Sequence, residues 1–248
     1  ASYPVKKIKQ AIALAKNGDT IIVNSGIYKE GTIVIDKKIV FIGKNLPILD
    51  GQKKYEVLSV KADSVLVQGI KVIRSGFATL EDPCGIKVYN KTFVRIFNNY
   101  LQDNFFGIYL QNSTNCIIKG NTIIAFGKEE QLIGNGIHCW KSDNLQIVAN
   151  NVRGHRDGIY FEFVTNSVIW RNISEKNIRY GLHFMFSNDD SYISNLFKNN
   201  GAGVAVMFSK SLKMFNNTFE ENWGDSAYGL LLKEISDGYI FNNHFIKN

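Results

Sequence analysis

Residues 158–162 read GIYFE, residues 181–185 GLHFM and residues 203–207 GVAVM; the same beat appears as GIYLQ at 107–111, GIHCW at 136–140 and GLLLK at 229–233. In each stretch the residue after the glycine and the one two further on are apolar. In a strand such residues share one face, so these pairs are expected to point into a core. The small-then-aliphatic step recurs at Gly85, Gly107, Gly136, Gly158, Gly181, Gly203 and Gly229, at intervals of 22, 29, 22, 23, 22 and 26 residues. Asn99, Asn150 and Asn195 keep the beat eight residues ahead of their glycines. Asn121 and Asn217 belong to two longer repeats, whose extra length falls at GKEEQLI (127–133) and around NWGDSA (222–227).

A repeat of about 22 residues, rich in Ile, Val, Phe and Asn and without helical periodicity, predicts an all-β fold, a single-stranded right-handed parallel β-helix with one repeat per coil. A β-propeller needs about 40 or more residues per blade and is set aside. Equivalent residues should stack about 4.8 Å apart, with inward asparagines forming ladders. Val5, Ile8, Ile12 and Ala15 mark one apolar helical face, so residues 1–19 are expected to form a capping helix, started by Ser2 and Pro4 and stopped by Gly18. Residues 1–248 are read as a single β-helix domain. Its last repeat stops at FNNHFIKN with no capping element, as in a fragment of a longer chain.

The 45% of hydrophobic residues suffices for a core, and no apolar run is long enough to span a bilayer. The first residues lack the apolar core of a signal peptide, which leaves open an export signal already removed. Cys84, Cys116 and Cys139 stand singly and read as small buried residues rather than a zinc or redox pair. The net charge of +7 is spread over scattered lysines, a solvated surface rather than a nucleic-acid site.

The remaining strand positions face outward. One column reads Tyr109, His138, Tyr160, His183, Ala205, Leu231, and the other Gln111, Trp140, Glu162, Met185, Met207, Lys233. Such a contiguous strip of aromatic, His and Met side chains marks an interaction site on an outer face. Two thioethers and an imidazole suit Cu(I), with His183, Met185 and Met207 as ligands and Glu162 beside them. The same residues also suit partner docking, with His138, Trp140, Tyr160 and Tyr109 as the docking surface. Met214 falls in a core column with Ile118 and Ile147, while His155 and His244 fall at turns, where surface roles are expected.

The rival class is a polysaccharide lyase or epimerase. Glycoside hydrolysis needs two carboxylates, and the outward columns supply only Glu162. A lyase or epimerase could draw on His155, Arg156 and Asp157 of GHRDG (154–158), with Arg179 one coil above Arg156. Arg and Asp at turns more often form structural ion pairs.

The stretches GHRDGIYFEF, NIRYGLHFMFSND, NGAGVAVMFSKSLKMFNN and NWGDSAYGLLLKEISD resemble the NosD family, most specifically from Gly154 to Asp237. That resemblance implies an exported periplasmic β-helix protein with no catalysis of its own. It implies work with an ABC transporter permease and ATPase, membrane association through the permease only, and a copper chaperone. Together these would supply copper to nitrous oxide reductase, an enzyme of denitrification. The ligand roles of His183, Met185, Met207 and Glu162 follow from column position and softness, not from the resemblance.

Overall fold

Each coil contributes three short strands, and like strands of successive coils pair in parallel, giving two ten-stranded sheets and one nine-stranded sheet. The computed structural model describes residues 4–77, 82–224 and 228–248. It is a parallel β-solenoid of about ten turns, as the repeat predicts.

The strands are short because the chain turns at corners between them, and many corners use a residue at positive φ followed by a small polar residue. At the first corner these pairs include Asn98-Asn99, Ala149-Asn150, Arg171-Asn172, Ser194-Asn195 and Asn216-Asn217, with φ of 52–58° at the first member. The left-handed conformation turns the backbone sharply, and the amide that follows satisfies the groups the turn leaves free. In the ladder from Asn99 through Asn121, Asn150, Asn172, Asn195 and Asn217 to Asn243, each Nδ2 donates to the next Oδ1 at 2.9–3.1 Å. The same Oδ1 accepts the backbone N–H of the residue below, so buried amides and corner backbone saturate one another. A second ladder at the next corner runs Asn177, Asn200, Asn222, Asn248.

Inside, stacked aliphatic and aromatic columns exclude water. Ile86, Ile108, Ile137, Ile159, Leu182 and Val204 form one, and Val88, Leu110, Cys139, Phe161, Phe184 and Val206 the next, all without exposed surface. Each such side chain contributes about 1.5–3 kcal/mol by leaving water. Met214 stacks in the core on Tyr192, in register with Ile118, Ile147 and Ile169, as expected. Cys84, Cys116 and Cys139 are buried free thiols. The repeat glycine exists because the sheets meet there: a Cβ on Gly136 would overlap Val152, and one on Gly158 would overlap Ser174.

The helix spans Ile8–Leu14, shorter than the expected 1–19, and buries Ile8 and Ile12 against the first coil. Pro4 precedes it, and Ser2 lies outside the described residues. Its start is fixed by Glu30, whose carboxylate accepts the N–H groups of Ile8 and Lys9 at 2.8 and 3.0 Å. A glutamate twenty-two residues downstream is invisible to local capping rules. The 127–133 insertion forms a short 3-10 turn at Glu130–Leu132 and buries Ile133. Of the second insertion, Asn222 sits in the ladder and residues 225–227 lie outside the described residues. No helix among the described residues is long and apolar enough to cross a membrane.

His155 is not at the surface. It follows Gly154 at the second corner, has no exposed area, and occupies the ladder position below Asn177, whose Oδ1 accepts its backbone N–H at 3.1 Å. His244 is exposed, as expected, but lies on the strand His244–Ile246 rather than at a turn.

Candidate functional site

The nine-stranded sheet presents the two outward columns in the expected register. Tyr109 stands beside His138, then Tyr160, His183 and Ala205; Gln111 stands beside Trp140, then Glu162, Met185, Met207 and Lys233.

The first column faces outward yet is not an exposed strip. Tyr109, Tyr160 and His183 are only 6%, 9% and 6% exposed. Their rings touch along the column, with centroids 4.3, 4.8 and 5.0 Å apart from Tyr109 through His138 and Tyr160 to His183. Residues at the starts of the strands, and just before them, lean over these rings. Phe106 packs edge-on to His138, Tyr180 packs on His183, and Asn135 Nδ2 lies 3.0 Å from His138 Nδ1. Tyr109 and Tyr160, expected as docking residues on an exposed strip, are instead nearly buried, by ring stacking along the parallel ladder and, at Tyr109, by Phe106. Burial, with the Arg156 charge nearby, pushes His138 down to about 3, so it is neutral at ordinary pH.

At the head of this column is a charged cluster that the spacing only hinted at. Asp157, without exposed surface, receives the Arg179 fork at 3.0 and 2.7 Å, and His183 Nδ1 lies 3.6 Å away. Burial would raise its carboxyl, but hydrogen bonds from His183 and Arg179 and the guanidinium charge outweigh it and hold Asp157 below the usual carboxylate range. Arg179 also faces Glu130 of the insertion at 4.0 Å. The GHRDG stretch is thus split: His155 turns into the interior, while Asp157 and Arg156 belong to the outer cluster.

The second column is half-buried from Gln111 to Met207, and Lys233 is exposed. Met185 and Met207 are in register on neighbouring strands, and Tyr160 Oη lies 3.9 Å from Met185 Sδ. Immediately after Glu162, Met185 and Met207 come Phe163, Phe186 and Phe208, at the third corner of three successive coils, all at positive φ. Their rings stack at 5.2 Å with interplanar angles of 9° and 14°, and Phe163 and Phe186 are 44% and 38% exposed. The same corner carries Asn112 and Lys141 in earlier coils. Bulky side chains are costly in this conformation, by roughly 1–2 kcal/mol each, so stacked phenylalanines here extend the apolar surface beside the methionines at a conformational cost. Sequence reasoning missed them because the positive φ shows only in the folded corner.

As a ligand set, Met185, Met207, Glu162 and His183 combine soft and borderline donors from three adjacent strands. His183 Nδ1 is turned to Arg179 and Asp157, while its buried Nε2 has no partner among the described residues. When Nδ1–H is turned to Asp157, Nε2 carries the lone pair that a soft cation would take; when Nδ1 accepts from Arg179, Nε2 carries the proton. Among the described residues no three His, Cys, Asp or Glu side chains form a metal-binding group.

These features define a parallel β-solenoid with a soft, aromatic-bordered outer face on one sheet. The model of the family described as periplasmic copper-binding protein (NosD) matches residues 125–248, the half that carries Glu162, His183, Met185 and Met207. The chain belongs to the NosD family. No curated protein matches the sequence. Among solved structures it is similar to an alginate lyase from a Paenibacillus species (TM-score 0.73, 17% identity, 96% of each chain covered). It is also similar to a periplasmic alginate epimerase (TM-score 0.67, 18% identity), covering 90% of this chain and 61% of that one. A third is the A-module of an Azotobacter vinelandii mannuronan C-5 epimerase (TM-score 0.63, 10% identity, 98% of this chain and 94% of that one). The protein spans less than two thirds of the alginate epimerase's length. At these identities the likeness is one of fold.

Proposed function

We propose that this protein is an exported, periplasmic accessory protein in copper delivery to nitrous oxide reductase, acting as a docking scaffold and as a Cu(I) binder. Copper is its cargo. Met185 and Met207 are the principal ligands, with His183 Nε2 and Glu162 completing the set, and Trp140 and His138 contribute to the partner surface. The partners are an ABC transporter permease with its ATPase, a copper chaperone and the reductase. The reading is carried by one observation: two methionines in register on the outer face, inside the segment that matches a copper-binding family. Side by side on parallel strands, about 4.8 Å apart, two thioethers can reach one Cu(I) without rearrangement of the backbone.

The test is an anaerobic Cu(I) titration against a competing chelator, wild type against Met185→Ala/Met207→Ala. Binding lost in the double variant supports the site. Binding indifferent to both changes removes it and leaves the face to partners alone.

A further inference from the structure

The buried side-chain N and O atoms left without a partner among the described residues are Asn135 Oδ1, His155 Nε2, Arg156 Nε and His183 Nε2. His155 belongs to the interior ladder. The other three come from successive coils and border one outer cluster, where Arg156 and Arg179 stand one above the other, joined by Arg179 N–H to Arg156 C=O at 2.8 Å. In folded proteins nearly all buried polar groups are paired, so a concentration of orphans calls for a missing partner.

The charges do not balance within this cluster. Asp157 is claimed by the Arg179 fork through both oxygens, and only a 3.8 Å approach joins it to Arg156. No hydrogen bond reaches the Arg156 guanidinium among the described residues, although its side chain is only 31% exposed. His138 beside it is neutral, so it neither adds to nor offsets the charge. The carboxylate that approaches Arg179 from outside, Glu130 at 4.0 Å, sits on the inserted turn and is itself 47% exposed. It is a weak, solvent-shared contact of the kind a better-placed anion displaces. The cluster therefore holds one half-buried guanidinium with unfilled hydrogen-bond capacity, a second pre-oriented by a buried aspartate, and two unpartnered polar atoms on nearly or fully buried residues, Asn135 and His183. Planar guanidinium donors match a carboxylate, and the mixed donor and acceptor capacity of Asn135 and His183 matches hydroxyls.

We propose that Arg156 and Arg179, with Asn135 and His183, form a binding site for a hydroxylated carboxylate, the chemistry of an acidic sugar. The carboxylate takes the place of Glu130 in front of the arginines, and the sugar hydroxyls meet Asn135 and His183. The site shares His183 with the proposed copper ligands but uses neither methionine, and it does not rest on the copper reading.

Calorimetric titration of the full chain with trigalacturonate, its methyl-esterified form and free galacturonate tests this. Trigalacturonate is expected to bind and its methyl ester not to, and Arg156→Ala to weaken binding by about tenfold or more, the loss of one charge-assisted contact. Arg156→Lys should fall between, and Glu130→Gln should tighten binding severalfold by removing the competing carboxylate. Binding of free galacturonate as strong as that of the trimer marks a small-acid site, and binding of the trimer alone marks a polymer site; both support the proposal. Equal binding of the methyl ester, unchanged binding by Arg156→Ala, or no binding of either acid overturns it. Met185→Ala/Met207→Ala is expected to bind the sugar unchanged, so failure here and failure of the copper site are read independently.

Discussion

The asparagine ladder and the Asp157 cluster lie in the same coils and face opposite ways, and they solve the problem of buried polarity differently. In the ladder every amide is repeated by the coil above, so each acceptor finds its donor at 2.9–3.1 Å by translation alone. In the cluster the positions repeat but the residues do not: Asn135, Asp157 and Tyr180 fill equivalent places in successive coils, and Asn135, Arg156 and His183 are left with unpaired atoms among the described residues. Translational symmetry satisfies polar groups without specificity, whereas its local loss leaves capacity that a ligand can use.

The comparison can be broken from either side. The largest effect is expected for Asp157→Ala, which strips the Arg179 fork of its partner and should destabilise the protein by about 3 kcal/mol, less than a fully buried pair because Arg179 is part-exposed; urea denaturation measures it. Acid titration of stability adds a sign. The Asp157 carboxyl is depressed on folding, so its contribution is present above the unfolded carboxylate value and is lost as pH falls through its lower folded value. Asp157→Asn should flatten that acid limb.

On the ladder side, Asn172→Ala removes the acceptor for Asn150 and the donor to Asn195 and Ile147, and should cost about 2 kcal/mol in the same assay. His155→Asn should do the reverse. Burial holds His155 down to about 4, so wild type loses stability as pH falls from about 6.5, the unfolded value, toward 4; an asparagine there extends the ladder from Asn177 and removes that loss. The expected gain at pH 5 is about 1 kcal/mol, seen as a higher melting temperature.

The smallest effect concerns an interior carboxyl with no ion pair among the described residues. Asp190 is 1% exposed and accepts from Ser167 N–H at 2.8 Å and Tyr192 Oη at 3.3 Å. Burial raises its carboxyl well above the usual range despite those bonds. A raised folded value means that its contribution is full below the unfolded carboxylate value and is lost as pH rises through the folded one. Asp190→Asn keeps the acceptor for Ser167, so it should stabilise the protein at pH 8 and leave it unchanged at pH 4; melting curves at the two values decide it.

The solenoid, its register and the methionine pair were all legible because a coil repeat converts sequence spacing directly into spatial columns. The glycines of Gly136-Ile137 and Gly158-Ile159 were visible as a beat, and their reason, the closeness of the neighbouring sheet, only in three dimensions. His155 was misplaced at the surface because its turn reads like any polar loop; the ladder position it fills is defined by Asn177, twenty-two residues on. Phe163, Phe186 and Phe208 were overlooked for a related reason, since a left-handed corner is a property of the folded backbone.

By itself the sequence determined what repeats: the all-β coil, the inward and outward columns, the asparagine ladder and the family kinship. Periodic interactions are encoded by spacing, and spacing survives in one dimension. The tertiary structure decided what does not repeat: the Glu30 cap on the helix, the ring packing that buries Tyr109 and Tyr160, the interior place of His155, and the gathering of Arg156, Asp157, Arg179 and His183. Those depend on which side chain a corner turns inward and which it lays across the outer face, and that choice is made by packing between coils rather than by the order of residues along one.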